Sequence, residues 1–206
     1  MVFVPIFESA FNCTTDIKLL ELSNLHHPLM KEMVVKAPGT YHHSLVVGSM
    51  CEEAANEIGA NALLAKVMAY YHDIGKTEHA QYFIENQRPG NNPHDHISPY
   101  MSKTILIAHV KDGAEMGMKH KLGKPIIDGI LQHHGTTLIS YFYNRALEER
   151  EDRSDAWIGE TFAGGVPGLH EISGRFVPVD PVRHTANEGV LVRLLRKLGK
   201  ERADLD

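Results

Sequence analysis

The stretch Asn61 to Lys76 (NALLAKVMAYYHDIGK) constrains this chain more than any other. Asn61 is a favoured helix N-cap, and Leu63, Leu64, Val67, Met68 and Tyr71 recur at the spacing of one helical face. One side of that helix is therefore bound for the core. Yet its end carries an imidazole, a carboxylate and an ammonium, His72, Asp73 and Lys76, within five residues. Charged groups taken out of water are costly unless partners satisfy them. A fold that buries this helix has to bring further polar or cationic groups to its end, where Gly75 reads as the exit.

The other segments up to Arg150 also read as helices, and very little reads as strand. Thr15-Asp16 opens a short helix through Leu22, and Pro28 opens another toward Lys36. The loop Ala37-Pro38-Gly39 breaks the chain before Thr40 caps a helix to about Ile58, which Gly59 stops. Residues Gln87 to Ser98 are rich in turn formers and read as a loop. Ser98-Pro99 starts a helix reaching His109 and Val110, and Lys111 to Lys121 reads as a separate one. Pro125 begins the next, ending at His133-His134-Gly135, and a last one carries Leu138, Tyr141, Phe142 and Leu147. The expectation is an all-α bundle of about eight helices.

Charge narrows the partners. Lys plus Arg total 21 against 26 Asp plus Glu, a net charge of -5, with no basic run for a nucleic-acid polymer to bind. Two cysteines, Cys13 and Cys51, form no CxxC and suit a reducing cytoplasm. The apolar start, Met1 to Phe7, is too short for a membrane span and lacks the marks of a signal peptide. Histidine, in contrast, occurs 14 times, and imidazole is the commonest metal ligand.

His43, His72, His109, His133 and His134 all fall near helix ends, so four helices can converge on Asp73. An Asp carboxylate has two oxygens and can bridge two cations while neutral imidazoles fill outer positions. Adjacent side chains on a helix diverge by about 100°, so His133 and His134 share one centre only where Gly135 bends the backbone. His26-His27 reads instead as a helix start before Pro28, and His94-Asp95-His96 as a solvated loop.

With these residues in view, YHHS at Tyr41 to Ser44, HDIGK at His72 to Lys76, AHV at Ala108 to Val110 and QHHG at Gln132 to Gly135 resemble the HD-domain metal phosphohydrolases. More narrowly, TTDIKLLELSNLHHPL, KAPGTYHHS, AYYHDIGK, YFIENQ, NPHD and HHGTTLISYFYNRALE resemble the cytoplasmic domain of the PgpH-type seven-transmembrane HD phosphodiesterases, over about residues 12 to 149. The resemblance implies an all-helical domain on the cytoplasmic face of a membrane, hydrolysing cyclic di-AMP to the linear dinucleotide with a hydroxide shared by two divalent cations. Iron or manganese is the usual pair, and cobalt or zinc suits the same ligands. Carried over by residue, it gives His43, His72 and Asp73 to one cation and Asp73, His109, His133 and His134 to the other. Asp73 and Lys76 become the catalytic residues, Lys76 meeting a phosphate oxygen or the departing 3'-oxygen, and His42 joins Lys76 as a substrate contact.

The organisation expected is an N-terminal segment, 1–14, an HD domain, 15–150, and a divergent, poorly packed tail, 151–206. All 8 Met and all 7 Tyr precede Glu151, whereas Arg and Gly are enriched beyond it, as a shifted frame or truncated gene would leave them. The family completes its first metal site with an Asp in an apolar helix downstream of the histidine pair, and the tail offers no such helix. Two alternatives follow: a nucleotide-binding sensor with an incomplete metal site, or a phosphohydrolase acting on another nucleotide. No membrane segment is read in the chain, and its oligomeric state stays open.

Overall fold

A computed structural model describes residues 14–135 and 137–148, and the expectations placed on the first residues and on the tail lie outside them. Seven α-helices follow one another: α1 (Asp16–Leu22), α2 (Pro28–Lys36), α3 (Pro38–Glu57), α4 (Ala62–Tyr71), α5 (Pro99–Lys119), α6 (Lys124–Gln132) and α7 (Ser140–Glu148). Between α4 and α5 the chain makes three 3-10 segments, Ile74–Tyr82, Ile84–Asn86 and Pro93–His96. Among the described residues there is no strand.

Most helix starts are set locally. Oxygen atoms of Thr15, Asn61 and Ser98 accept from the backbone N–H three residues on, and prolines occupy the first turns of α2, α3, α5 and α6. Gly59 and Gly135 take positive φ, 67° and 56°, and end α3 and the turn after α6.

Three expectations are corrected. First, α3 begins at Pro38 and Thr40 is not its cap. The side chain of Asn86 does that work, its Oδ1 accepting from Gly39 N at 2.9 Å and Thr40 N at 3.2 Å. Second, the two helices expected on either side of Lys111 are one, α5, which reduces eight to seven. Gly113 and Gly117, inside it, permit close packing: a Cβ on Gly113 would lie 3.0 Å from Ile130 Cγ2 and 3.2 Å from Gly75 N. Third, Gly75 has no positive φ and is not a left-handed exit. It is glycine because a Cβ there would stand 1.9 Å from the His109 carbonyl oxygen.

Helix α4 lies at the centre, packed on α3, α6 and α1. Leu19, Leu22, Met30, Met33, Val67, Met68, Tyr71, Ile126 and Ile130 form the core around it. Tyr71 is fully buried and donates its hydroxyl to Leu22 O at 2.8 Å, which satisfies the one polar atom that the ring takes inside. A smaller cluster joins α7 to α5 through Phe142, Ala146, Tyr100 and Leu106. Among the described residues no helix is long and apolar enough to cross a membrane.

Candidate metal centre

The polar end of α4 finds its partners from three other elements. Asp73, only 2% exposed, has Oδ2 at 3.0 Å from His72 Nε2 and 2.8 Å from Lys76 Nζ. Its Oδ1 faces His109 Nε2 of α5 at 3.4 Å and His133 Nε2, just past α6, at 3.3 Å. His109 Nε2 also lies 3.3 Å from His133 Nε2 and 3.2 Å from His134 Nε2. His43, in α3, brings its ring to 5.5 Å from that of His72. Two donor sets result, Asp73 with His109, His133 and His134, and His43 with His72 and Asp73, each with ligand atoms within 4.8 Å of one another.

The tautomers decide what this arrangement can hold. His72 Nδ1 donates to Ala69 O at 2.7 Å, His133 Nδ1 to Ile130 O at 2.7 Å, and His109 Nδ1 to Leu106 O. A carbonyl only accepts, so each Nδ1 carries the ring proton and each Nε2 presents a lone pair. The Nε2 atoms of His109 and His133 thus face each other with no proton between them. Asp73 Oδ1, buried and with no hydrogen-bond donor, adds a further electron pair. Such a convergence is stable around positive charge, and the His and Asp donors suit a divalent transition metal.

Burial supplies the right protonation state. It pushes His133 down to about 4 against the pull of Asp73, and lowers His134 further, with His133 and His109 adding to the effect. His43 is lowered by burial and by His72. All three are therefore neutral near pH 7, the form that coordinates a metal. For Asp73 burial is the largest influence and raises its pKa, but His72 and the Lys76 ammonium outweigh it and hold the carboxyl well below its usual range.

Beside the centre is a cavity of about 310 Å³ lined by Lys76, Phe83, His109, His134 and apolar side chains that include Leu106 and Ile139. Lys76 Nζ sits at its edge, 5.0 Å from the Phe83 ring centroid. It pairs with Glu85 Oε1 at 2.9 Å as well as with Asp73. His42 is exposed on the second turn of α3 and is not among the cavity-lining residues. Sequence reasoning missed Glu85, Thr40 and Phe83 as site residues, although YFIENQ contains two of them.

The other histidines divide. His27 caps α2, its Nδ1 accepting from Leu29 N at 3.3 Å, and its ring meets the edge of Tyr71. His94 is not solvated as expected. It is buried against Phe142 and Tyr82, with Nε2 donating to Tyr82 O at 2.8 Å, while Asp95 and His96 are exposed.

An all-α bundle that gathers histidines around an HD dipeptide defines a class, and a family profile described as HD domain matches residues 40–158. The chain belongs to the HD-domain family. It is 48% identical over 170 residues to the cyclic-di-AMP phosphodiesterase PgpH of Listeria monocytogenes serotype 1/2a (strain 10403S), covering 82% of this chain and 23% of that protein. Against the PgpH of Bacillus subtilis (strain 168) the identity is 50% over 146 residues, 71% of this chain and 20% of that one. The chain thus spans about a fifth of the length of these relatives. The match of 170 residues is longer than the motif-bearing segment 12–149, so the likeness extends into its flanks. The crystal structure of the L. monocytogenes PgpH HD domain in complex with cyclic-di-AMP superposes with a TM-score of 0.64 at 37% identity, over 87% of this chain and 86% of that one.

Proposed function

We propose that this chain is a phosphodiesterase that opens cyclic di-AMP to its linear dinucleotide on the cytoplasmic side of a membrane, using two divalent cations. The observation that carries the reading is the meeting of Nε2 lone pairs from His109 and His133 with the unpartnered Asp73 Oδ1. His43, His72 and Asp73 would hold one cation, and Asp73, His109, His133 and His134 the other, with iron or manganese favoured. The relatives named for cyclic-di-AMP hydrolysis support the substrate, and the buried free thiol of Cys51 suits a reducing compartment.

Paired cations of this kind supply Lewis acidity to phosphoryl oxygens and acidify water. The protein's own part is positional. Neutral His133 and His134 leave their charge-free rings to the centre, and Lys76 puts a fixed positive charge at the cavity edge, where a phosphate would be. The walls, Phe83, Leu106 and Ile139 among them, offer apolar surface to the face of a nucleobase and keep water out. His42, exposed beside His43, is within the proposal only as an outer contact to substrate.

The test is turnover of cyclic di-AMP by the manganese- or iron-loaded chain beside a panel of other nucleotides. Asp73→Ala should lower it by about a thousandfold or more, as removal of a member of a catalytic unit does. Turnover untouched by Asp73→Ala refutes the site, and preference for another nucleotide refutes the substrate. One ion per chain with intact bound ligand would replace the hydrolase with a sensor.

A further inference from the structure

We infer that Glu85 is a positioning residue that holds the Lys76 ammonium at the cavity edge and so leaves Asp73 both of its oxygens for cations. The inference rests on the metal-centre reading above. Lys76 Nζ is shared between two carboxylates, 2.8 Å from Asp73 Oδ2 and 2.9 Å from Glu85 Oε1. An oxygen that pairs with an ammonium is not fully available to a metal, and two cations on one carboxylate repel. Lys76 has only 14% of its side chain exposed, so release from Asp73 would strand it unless a second negative charge were at hand. Glu85 is that charge.

Glu85 is itself held in place. Its Oε1 accepts from Thr40 Oγ1 at 3.0 Å, and Thr40 Oγ1 accepts in turn from Asn86 Nδ2 at 2.8 Å. Its carbonyl oxygen packs so closely on Gly39 that a Cβ there would come within 1.9 Å. Asn86 meanwhile caps the helix that carries His43. Two consecutive residues of one short 3-10 segment therefore tie the position of Lys76 to the start of α3. None of the metal-ligand residues makes this connection.

Titration of the metal-stripped full chain with Mn²⁺ tests it, in wild type, Glu85→Gln, Lys76→Met and the double variant, with turnover of cyclic di-AMP read in parallel. Glu85→Gln should weaken Mn²⁺ binding about tenfold, within the range for coupled neighbours, because Lys76 then has only Asp73 to neutralise it. On the Lys76→Met background the same change should do nothing. Equal affinity in wild type and Glu85→Gln overturns the inference, as does a loss of the same size without Lys76, which would mark a purely structural role. Glu85→Asp, shorter but still charged, should fall between the two, and full wild-type affinity from it also counts against the inference. A wild type that binds Mn²⁺ but leaves cyclic di-AMP intact sinks the proposed activity and leaves Glu85 to the titration. A wild type that binds no metal overturns both.

Discussion

Replacing Gly75 with alanine tests how tightly the HD turn is pressed against α5. The added methyl would lie 1.9 Å from the His109 carbonyl oxygen and 2.4 Å from Gly113 N. Carbon and oxygen tolerate contacts of about 3.3 Å, so the two backbones would have to part by more than about 1 Å. Neither obstacle is a side chain that can swing aside. Overpacking in cores that can adjust costs about 1–3 kcal/mol, and a backbone clash falls at about 3 kcal/mol or more. At this chain length that lowers the melting temperature by about 6–12 °C. The same movement draws His109 away from Asp73 and His133, so metal affinity should fall with stability. Gly117→Ala is the control. Its Cβ would meet only side-chain carbons of Ile127, Ile130 and Leu122, each at 3.4 Å, and alanine gains about 1 kcal/mol of helix propensity over glycine. Melting curves by circular dichroism and Mn²⁺ titration of both variants decide the matter. A Gly75→Ala chain that melts within about 2 °C of wild type and binds the metal normally would refute the packing argument.

Other outcomes follow from the same geometry. Mn²⁺ at about a hundred times its dissociation constant should stabilise the folded chain by about 2.7 kcal/mol, read as a rise in melting temperature that a chelator reverses. Without metal, stability should drop by about 3 kcal/mol or more as pH falls from 6.5 to about 4, His134 adding to the loss from His133. The unfolded chain protonates His133 near 6.5 whereas burial delays this in the folded one to about 4, and Asp73, held low, extends the loss to still lower pH. A urea midpoint that is flat across that window would contradict it. Asn86→Ala removes the acceptor for two N–H groups at the start of α3 and should cost about 1–2 kcal/mol, with Asn86→Asp milder. Equal melting temperatures for the two would count against the capping role.

Most of the helices and nearly all of the centre were legible in the sequence because their signals are local. Thr15, Asn61 and Ser98 cap within their own turns, Gly59 and Gly135 stop where the backbone turns left-handed, and the candidate ligand histidines His72, His133 and His134 sit beside helix ends. What escaped depends on distant contacts. The cap of α3 comes from Asn86, 47 residues away from Gly39, so Thr40 took the cap's place in the reading when it is in fact a buried partner of Glu85. Gly75 looks like an exit until the His109 carbonyl is seen against it. Lys76 and Glu85 are joined through an irregular 3-10 stretch with a kink at His79, where no period places one side chain over another. His94 reads as loop because its neighbours are polar, and only Phe142 and Tyr82 take it inside.

The imidazoles of His72 and His133 each rest on a carbonyl in the last turn of their own helix, Ala69 O and Ile130 O. Such carbonyls lack backbone partners at a helix end. One N–H bond therefore closes the helix and, at the opposite ring nitrogen, readies a ligand. Fraying of that turn would unseat the ligand, and capture of an ion would in turn pin the turn shut. Each imidazole comes with its own miniature scaffold, and the bundle's task is reduced to bringing these finished ends face to face.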